Sequence, residues 1–306
     1  MKLIKLKEPE ILYEYINGNY NVKIYSDGTK IRETSDDFLA PLFPENIDIK
    51  ITNKCNAGCP FCHENSTIDG QNGILDQEFI KSLRPGTELA IGGGNIFEHP
   101  DIEKFLIQLK ELGIISNITV NQIHIKENLD LINRWQREKL VYGVGISYNG
   151  SASELMDLYF KTAIPQNVVV HVIAGIHDIS QLTRDDMKIL VLGYKFLRRG
   201  EIYFEKNYSS ITKKITKLKT NLPEYLKKYH VLSFDNLALE QLEVQKLIDP
   251  AFWNTHYMGD DGTHTMYIDL VNEEFASSST SPIRYSLKEY IKIDDIFNTI
   301  LNEKTN

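Results

Sequence analysis

The sequence predicts an α/β fold, a parallel β-sheet covered by helices. Three observations carry this expectation. Six apolar segments alternate with helix-patterned segments between residues 47 and 200. The apolar segments are hydrophobic on both faces, as in strands buried between helices. The first two end in a cysteine loop and a triple glycine, "GGG" at 92–94. Such sheets bind ligands beyond the carboxyl ends of their strands.

Before the alternation, "NVKIYSDGTKIRE" (21–33) places Asp27-Gly28 between two alternating stretches, which predicts a β-hairpin with a two-residue turn. "FLAPLFPEN" (38–46) has two prolines and reads as a connector. The strands are expected at 47–52, 87–94, 117–123, 140–148, 167–175 and 188–196. Helices are expected at 74–83, 99–113, 127–139 and 151–163, with a short one at 181–188. His99-Pro100 and an acidic first turn open the second of these, and Gly113 closes it. Ser151 is a candidate N-cap for the fourth.

Beyond residue 200 the pattern changes. A lysine-rich segment (210–230) reads as helical, 231–242 as a further strand, 265–282 as a strand, a turn and a serine-rich loop, and 286–303 as an amphipathic helix. The expected organisation is an N-terminal hairpin extension (1–45), a core (46–200) and a mixed C-terminal extension (201–306) that covers the open end.

The chain has 306 residues, 42% hydrophobic and 25% charged, enough for a large core and ordinary for a globular protein. A net charge of −8 disfavours broad binding to nucleic acid backbone. No apolar run reaches the ~18 residues of a membrane span. "MKLIKLKEPEILYEY" is interrupted by charges and does not read as a signal peptide, so the expected location is the cytoplasm.

All three cysteines fall in "CNAGCPFCHE" (55–64), at C-x3-C-x2-C spacing. Thiolates are soft ligands suited to iron–sulfur clusters, zinc or copper(I). A cubane normally takes four cysteines. Three would leave one iron open to a small molecule. Two other readings stand beside this one. Cys59-Pro-Phe-Cys62-His63 fits a haem attachment signature, and His63 offers a fourth zinc ligand.

This spacing, with Phe61 just before the last cysteine, resembles the radical S-adenosylmethionine (radical SAM) superfamily. "GGGNIFEHPDIEKF" (92–105) is similar to the family's Gly-Gly-Glu-Pro strand end, with Gly93 and Gly94 on the paired glycines and Asn95 in place of glutamate. "ISYNGS" (146–151) is similar to the family's Ile-Ser-Leu-Asp-Gly, and "HVIAGIHD" (171–178) to its loose G-x-I-x-G-x-x-E pattern.

The resemblance, which covers roughly residues 47 to 200, implies a partial (βα)6 TIM-like barrel. It implies that Cys55, Cys59 and Cys62 hold a [4Fe–4S] cluster. It implies that Phe61, Gly93, Gly94, Asn95, Asn121, Ser147, Ile173 and Gly175 contact S-adenosylmethionine (SAM). The implied activity is reductive cleavage of SAM to a 5′-deoxyadenosyl radical that abstracts hydrogen from a small metabolite, nucleotide or peptide. It further implies an oxygen-sensitive enzyme and an external one-electron donor of flavodoxin or ferredoxin type. A non-catalytic iron–sulfur or zinc protein that kept the fold is the alternative, resting on Asn95.

With every cysteine in one motif, no second cysteine-ligated cluster is expected, nor a thiol hydrogen-atom donor; Tyr148 and Tyr257 are candidates for that role. Other residues have two readings each. Lys195, Arg198 and Arg199 are an anion site or a solvated basic cluster. His63 is a metal ligand, or instead supports the ligands or faces substrate. His99 positions a helix start or meets substrate. His171 and Asp178 are structural or near the cofactor. The 256–269 segment is a surface loop or a flap.

Overall fold

The computed structural model describes residues 9–303. Residues 1–8 and 304–306, the ends of the two expected extensions and part of the stretch weighed as a signal peptide, lie outside the described residues.

Strands β1 (Ile11–Asn17), β2 (Tyr20–Tyr25) and β3 (Lys30–Glu33) form an antiparallel sheet. The expected hairpin is β2–β3, but its loop has three residues, Ser26 to Gly28. Tyr25 N–H donates to the Thr29 carbonyl, Gly28 N–H donates to the Tyr25 carbonyl, and only Gly28 takes a positive φ, +88°. That is a type I turn followed by a left-handed residue, the usual three-residue solution. The two-residue turn lies one hairpin earlier, at Gly18 and Asn19 between paired Asn17 and Tyr20. β1 went unread because its residues, ILYEYIN, do not alternate cleanly.

The main sheet has ten strands. β4 (Asn46–Thr52), β5 (Glu88–Gly93), β6 (Ile115–Asn121), β7 (Gly143–Ser147), β8 (Val168–Ile173) and β9 (Lys188–Leu192) are parallel neighbours in chain order. Helices α1 (Ile102–Glu111), α2 (Gln122–Arg137) and α3 (Ala152–Lys161) follow β5, β6 and β7. After β4 and β8 the expected helices shrink to 3-10 turns, Glu78–Ser82 and Ile179–Gln181. Pro85 and Gly86 end the first before it can propagate.

The long α4 (Arg199–Lys228) begins eleven residues before its expected start at 210. β10 (Val231–Phe234) continues the parallel sheet beside β9, but only its first four residues are strand; α5 (Asn236–Gln241) follows. After α6 (Pro250–His256), β11 (Thr265–Asp269) pairs parallel to β4 on the opposite edge. β12 (Glu274–Ala276) and β13 (Tyr285–Ser286) add antiparallel strands, and α7 (Ile293–Glu303) ends the described chain. β10 and β13 are the two ends of the sheet and do not pair among the described residues. The architecture is thus an α/β partial barrel with an N-terminal β-sheet and mixed C-terminal elements.

Alternation along β4 sorts side chains between core and interior. Ile47, Ile49 and Ile51 are at most 2% exposed and pack outward against the helices. Asp48, Lys50 and Thr52 point the other way. The N-terminal sheet closes the amino ends of the strands: Lys30 pairs with Glu45 at 3.3 Å and Glu88 at 2.6 Å, and Lys188 Nζ donates to the Asp27 carbonyl at 2.6 Å. The carboxyl ends are left for the cysteine loop. Among the described residues no helix is long and apolar enough to cross a membrane.

Candidate functional site

The chain leaves β4 at Thr52 and makes a closed loop. Thr52 Oγ1 accepts from Lys54 N–H at 3.0 Å and donates to Asn72 Oδ1 at 2.6 Å. Cys55 N–H donates to the Thr67 carbonyl at 2.7 Å, and Thr67 N–H donates to the Asn53 carbonyl at 3.0 Å. The loop is therefore stitched to its own return segment. Asn56 Oδ1 accepts from His124 Nε2 at 2.7 Å, tying it to α2. Burial lowers the His124 pKa, and its Nδ1 is buried without a partner, so the neutral ring donates through Nε2.

The three cysteines are free and partly exposed. Burial raises the Cys55 and Cys59 pKa values; neighbouring thiols add to the rise, and Arg199 opposes it at both. Ala57 N–H points at Cys55 Sγ at 3.5 Å and Asn121 Nδ2 at Cys59 Sγ at 3.9 Å. Among the described residues no three His, Cys, Asp or Glu side chains, the cysteines included, are gathered closely enough to hold a metal ion as they stand. The donor set is three soft thiols in electrostatic reach of one another at the sheet's carboxyl edge. That chemistry fits an iron–sulfur cluster with one iron lacking a protein ligand.

Beside Cys59 lies a cavity of about 250 Å³. Four of the expected cofactor residues line it: Phe61, Asn121, Ser147 and Ile173. They come from the loop and the ends of β6, β7 and β8. Tyr148, Asn149, His171, His177 and Leu192 also line it, with the loop residues around Cys59 and with Ile123. Phe61 meets His177 edge-on, centroids 6.3 Å apart, and Tyr148 lies 5.2 Å from the same ring. Ile173 N–H donates to His177 Nδ1 at 2.9 Å. Burial pushes the pKa values of His171 and His177 down to about 4, so both are neutral near pH 7. His177 carried a readable signal, since it stands two residues beyond Gly175 in a segment already singled out.

Four expected residues lie outside that cavity. Gly93 and Gly94 run along the start of the cysteine loop, where Gly94 N–H donates to the Thr52 carbonyl at 2.7 Å. Gly93 has φ +115°, and a Cβ there would sit 2.3 Å from the Thr52 oxygen, so only glycine fits. Asn95 is 4% exposed; its Oδ1 accepts from Phe97 N–H at 3.3 Å and caps a short turn. Gly175 packs against Ile211 and Ile215 of α4. His99 is buried and accepts from Asp101 N–H at 3.2 Å, holding the start of α1. Asp178 pairs with Lys217 at 2.7 Å.

On the other flank of the loop, Glu64 contacts Lys50 at 3.0 Å and His63 at 3.2 Å. A larger hollow of about 460 Å³, lined by Asn236, Trp253, Tyr257, Asp261 and Thr280, lies away from the thiols beside α5 and α6. The 256–269 segment is spread over the end of α6, this hollow and β11.

The class the fold and site define is an α/β barrel with a strand that ends in a three-thiol loop beside a cavity. No family model matches the chain. A 162-residue stretch is 25% identical to the antilisterial bacteriocin subtilosin biosynthesis protein AlbA of Bacillus subtilis; it covers 48% of this chain and 34% of AlbA, about a third of that protein's length. Among solved structures, Streptococcus suis SuiB bound to S-adenosylmethionine matches with a TM-score of 0.58 and 13% identity, over 95% of this chain and 87% of SuiB. SuiB bound to precursor peptide SuiA matches at 0.54 and 15%, over 84% and 65%. The SuiB likeness is one of fold. The cysteine and strand-end motifs resemble those of the radical SAM superfamily, and the chain is similar to AlbA in sequence and to SuiB in fold.

Proposed function

We propose that this chain is a radical SAM enzyme acting on a peptide. The observation that carries the reading is the cysteine triplet at the carboxyl edge of a parallel barrel, with a cavity against Cys59. Cys55, Cys59 and Cys62 would hold the cluster. Phe61, Asn121, Ser147 and Ile173 would meet SAM from the cavity wall; Gly93, Gly94, Asn95 and Gly175, which lie outside that cavity, would serve SAM by shaping the loop and strand ends. When bound, the reduced cluster supplies the electron that cleaves SAM to a 5′-deoxyadenosyl radical, which takes hydrogen from the substrate. The chain's own contribution is to position these parts. The neutral rings of His171 and His177 and the aromatic faces of Phe61 and Tyr148 form an uncharged wall that limits water.

A peptide substrate is supported by the names of the similar proteins, one a bacteriocin biosynthesis protein and one bound to a precursor peptide. The electron would come from a flavodoxin or ferredoxin type donor in a reducing, cytoplasmic setting. In this reading residues 46–200 are the catalytic barrel, 1–45 close its amino end, and 201–306 cover the open end.

The test is anaerobic reconstitution with iron and sulfide, then dithionite and SAM, with and without a cognate precursor peptide. Formation of 5′-deoxyadenosine that rises with peptide, and a mass change in the peptide, support the reading. An intact cluster that never cleaves SAM points to the non-catalytic alternative.

A further inference from the structure

Lys195, Arg198 and Arg199 stand past the carboxyl end of β9 without a task in the reading above. Each bonds to the protein, although Arg198 is also exposed. Lys195 Nζ donates to Ser279 Oγ at 2.8 Å and lies 3.3 Å from His63 Nε2. Arg198 Nη1 donates to the His63 carbonyl at 2.9 Å. Arg199 Nη2 donates to the Ser66 carbonyl. Both arginines therefore grip the segment just beyond Cys62.

The backbone is shaped for this grip. Arg198 has φ 50° and ψ −121°, a conformation that L-residues avoid and that turns the chain abruptly into α4. A Cβ on the next glycine, Gly200, would lie 2.4 Å from the Lys195 carbonyl oxygen and 3.5 Å from that of Phe61. The first turn of α4 is thus pressed against the cysteine loop.

One donor there has no partner. Arg199 Nε is buried and unsatisfied, and so is Ser66 Oγ on a residue only 4% exposed. An unsatisfied buried polar group is costly, and more so when charged. Ser66 precedes Thr67, whose carbonyl holds the Cys55 amide. The orphan donor therefore belongs to a residue bonded to the return segment that holds the first cysteine's backbone.

We propose that Arg199 is a tuning residue for the cluster: its charge and its unused Nε–H, set beside the segment that holds Cys55, raise the reduction potential of the bound [4Fe–4S] group. Cluster potentials respond to nearby charge and to hydrogen bonds on sulfur. The inference rests on the cluster reading above, but not on SAM cleavage.

The test is a redox titration, followed by electron paramagnetic resonance, of the full-length reconstituted protein without SAM. Wild type is compared with Arg199→Lys, Arg199→Gln and Arg198→Gln. Iron content is expected to match wild type. The midpoint is expected to fall in Arg199→Lys and further in Arg199→Gln, by ~59 mV or more, a tenfold change in a one-electron equilibrium. Arg198→Gln is expected to leave it in place. Coincident midpoints for wild type and the Arg199 variants overturn the proposal, as does an equal shift in Arg198→Gln. If Arg199→Gln takes up no cluster, wild type against Arg199→Lys decides by the same rule. A wild type that takes up no cluster ends both readings. One that loads a cluster yet leaves SAM intact ends only the catalytic one.

Discussion

Glu64, two residues beyond the last cysteine, meets Lys50 of β4 at 3.0 Å with side chains only 9% and 3% exposed. The same Lys50 nitrogen lies 3.0 Å from Asp269 of β11. One buried cation thus ties the cysteine loop to both strands. Removing it leaves two carboxylates buried without that countercharge, which typically costs about 3–5 kcal/mol. Lys50→Met is expected to lower unfolding free energy by that order in urea titrations. Adding Glu64→Gln and Asp269→Asn is expected to recover part of the loss.

Gly93 supports the loop in another way. Gly93→Ala combines a positive φ with a Cβ 2.3 Å from the Thr52 carbonyl oxygen. Strain of this kind costs about 1–3 kcal/mol, and the clash forces the two segments apart. The expected result is lower stability and, in the protein that remains folded, less iron per chain after reconstitution. Iron content equal to wild type would separate the glycine from the loop's geometry.

The histidines give the site a pH signature. Their folded pKa values, about 4 for His171 and for His177, lie below the ordinary 6.5. The unfolded chain therefore binds more protons between those values, and stability falls as pH drops from about 6.5 to 4. The slope is at most about 1.4 kcal/mol per pH unit per histidine, an upper bound because both rings face a cavity. His171→Gln is expected to flatten the decline of unfolding free energy over that window. An unchanged slope would mean that the ring charges freely in the folded state.

Packing can be separated from the site through Trp135. It is fully buried, stacks on Phe97 with centroids 5.7 Å apart, and donates to Glu103 Oε2 at 3.0 Å. Trp135→Ala is expected to cost about 3–5 kcal/mol. Below its melting transition it is expected to keep the wild-type iron content, as measured by colorimetric iron assay.

The parallel sheet was legible because strands such as "IDIKIT" and "NVVVHVIAG" have no helical period, and glycine and proline mark their ends. The helices after β4 and β8 were misread because short periodic runs look helical whether or not they have room to propagate. The first turns of α4 were missed because "RRGEIYFEKN" has glycine near its start and no N-cap residue; its start is fixed by tertiary contacts with the cysteine loop. At the site, the cysteine triplet stood out by its spacing, and the strand-end positions were singled out only by resemblance to a family; four of those residues line the cavity beside Cys59. The role of Arg199 could not be read, because it depends on an unpaired donor that only the folded chain reveals.

The most direct test of the central claim is electron paramagnetic resonance of the anaerobically reconstituted, dithionite-reduced protein before and after SAM is added. The expected result is a [4Fe–4S] signal that changes shape with SAM and is lost in Cys59→Ser. A colourless protein carrying stoichiometric zinc, or a cluster signal indifferent to SAM, would contradict a cluster with one iron free for the cofactor.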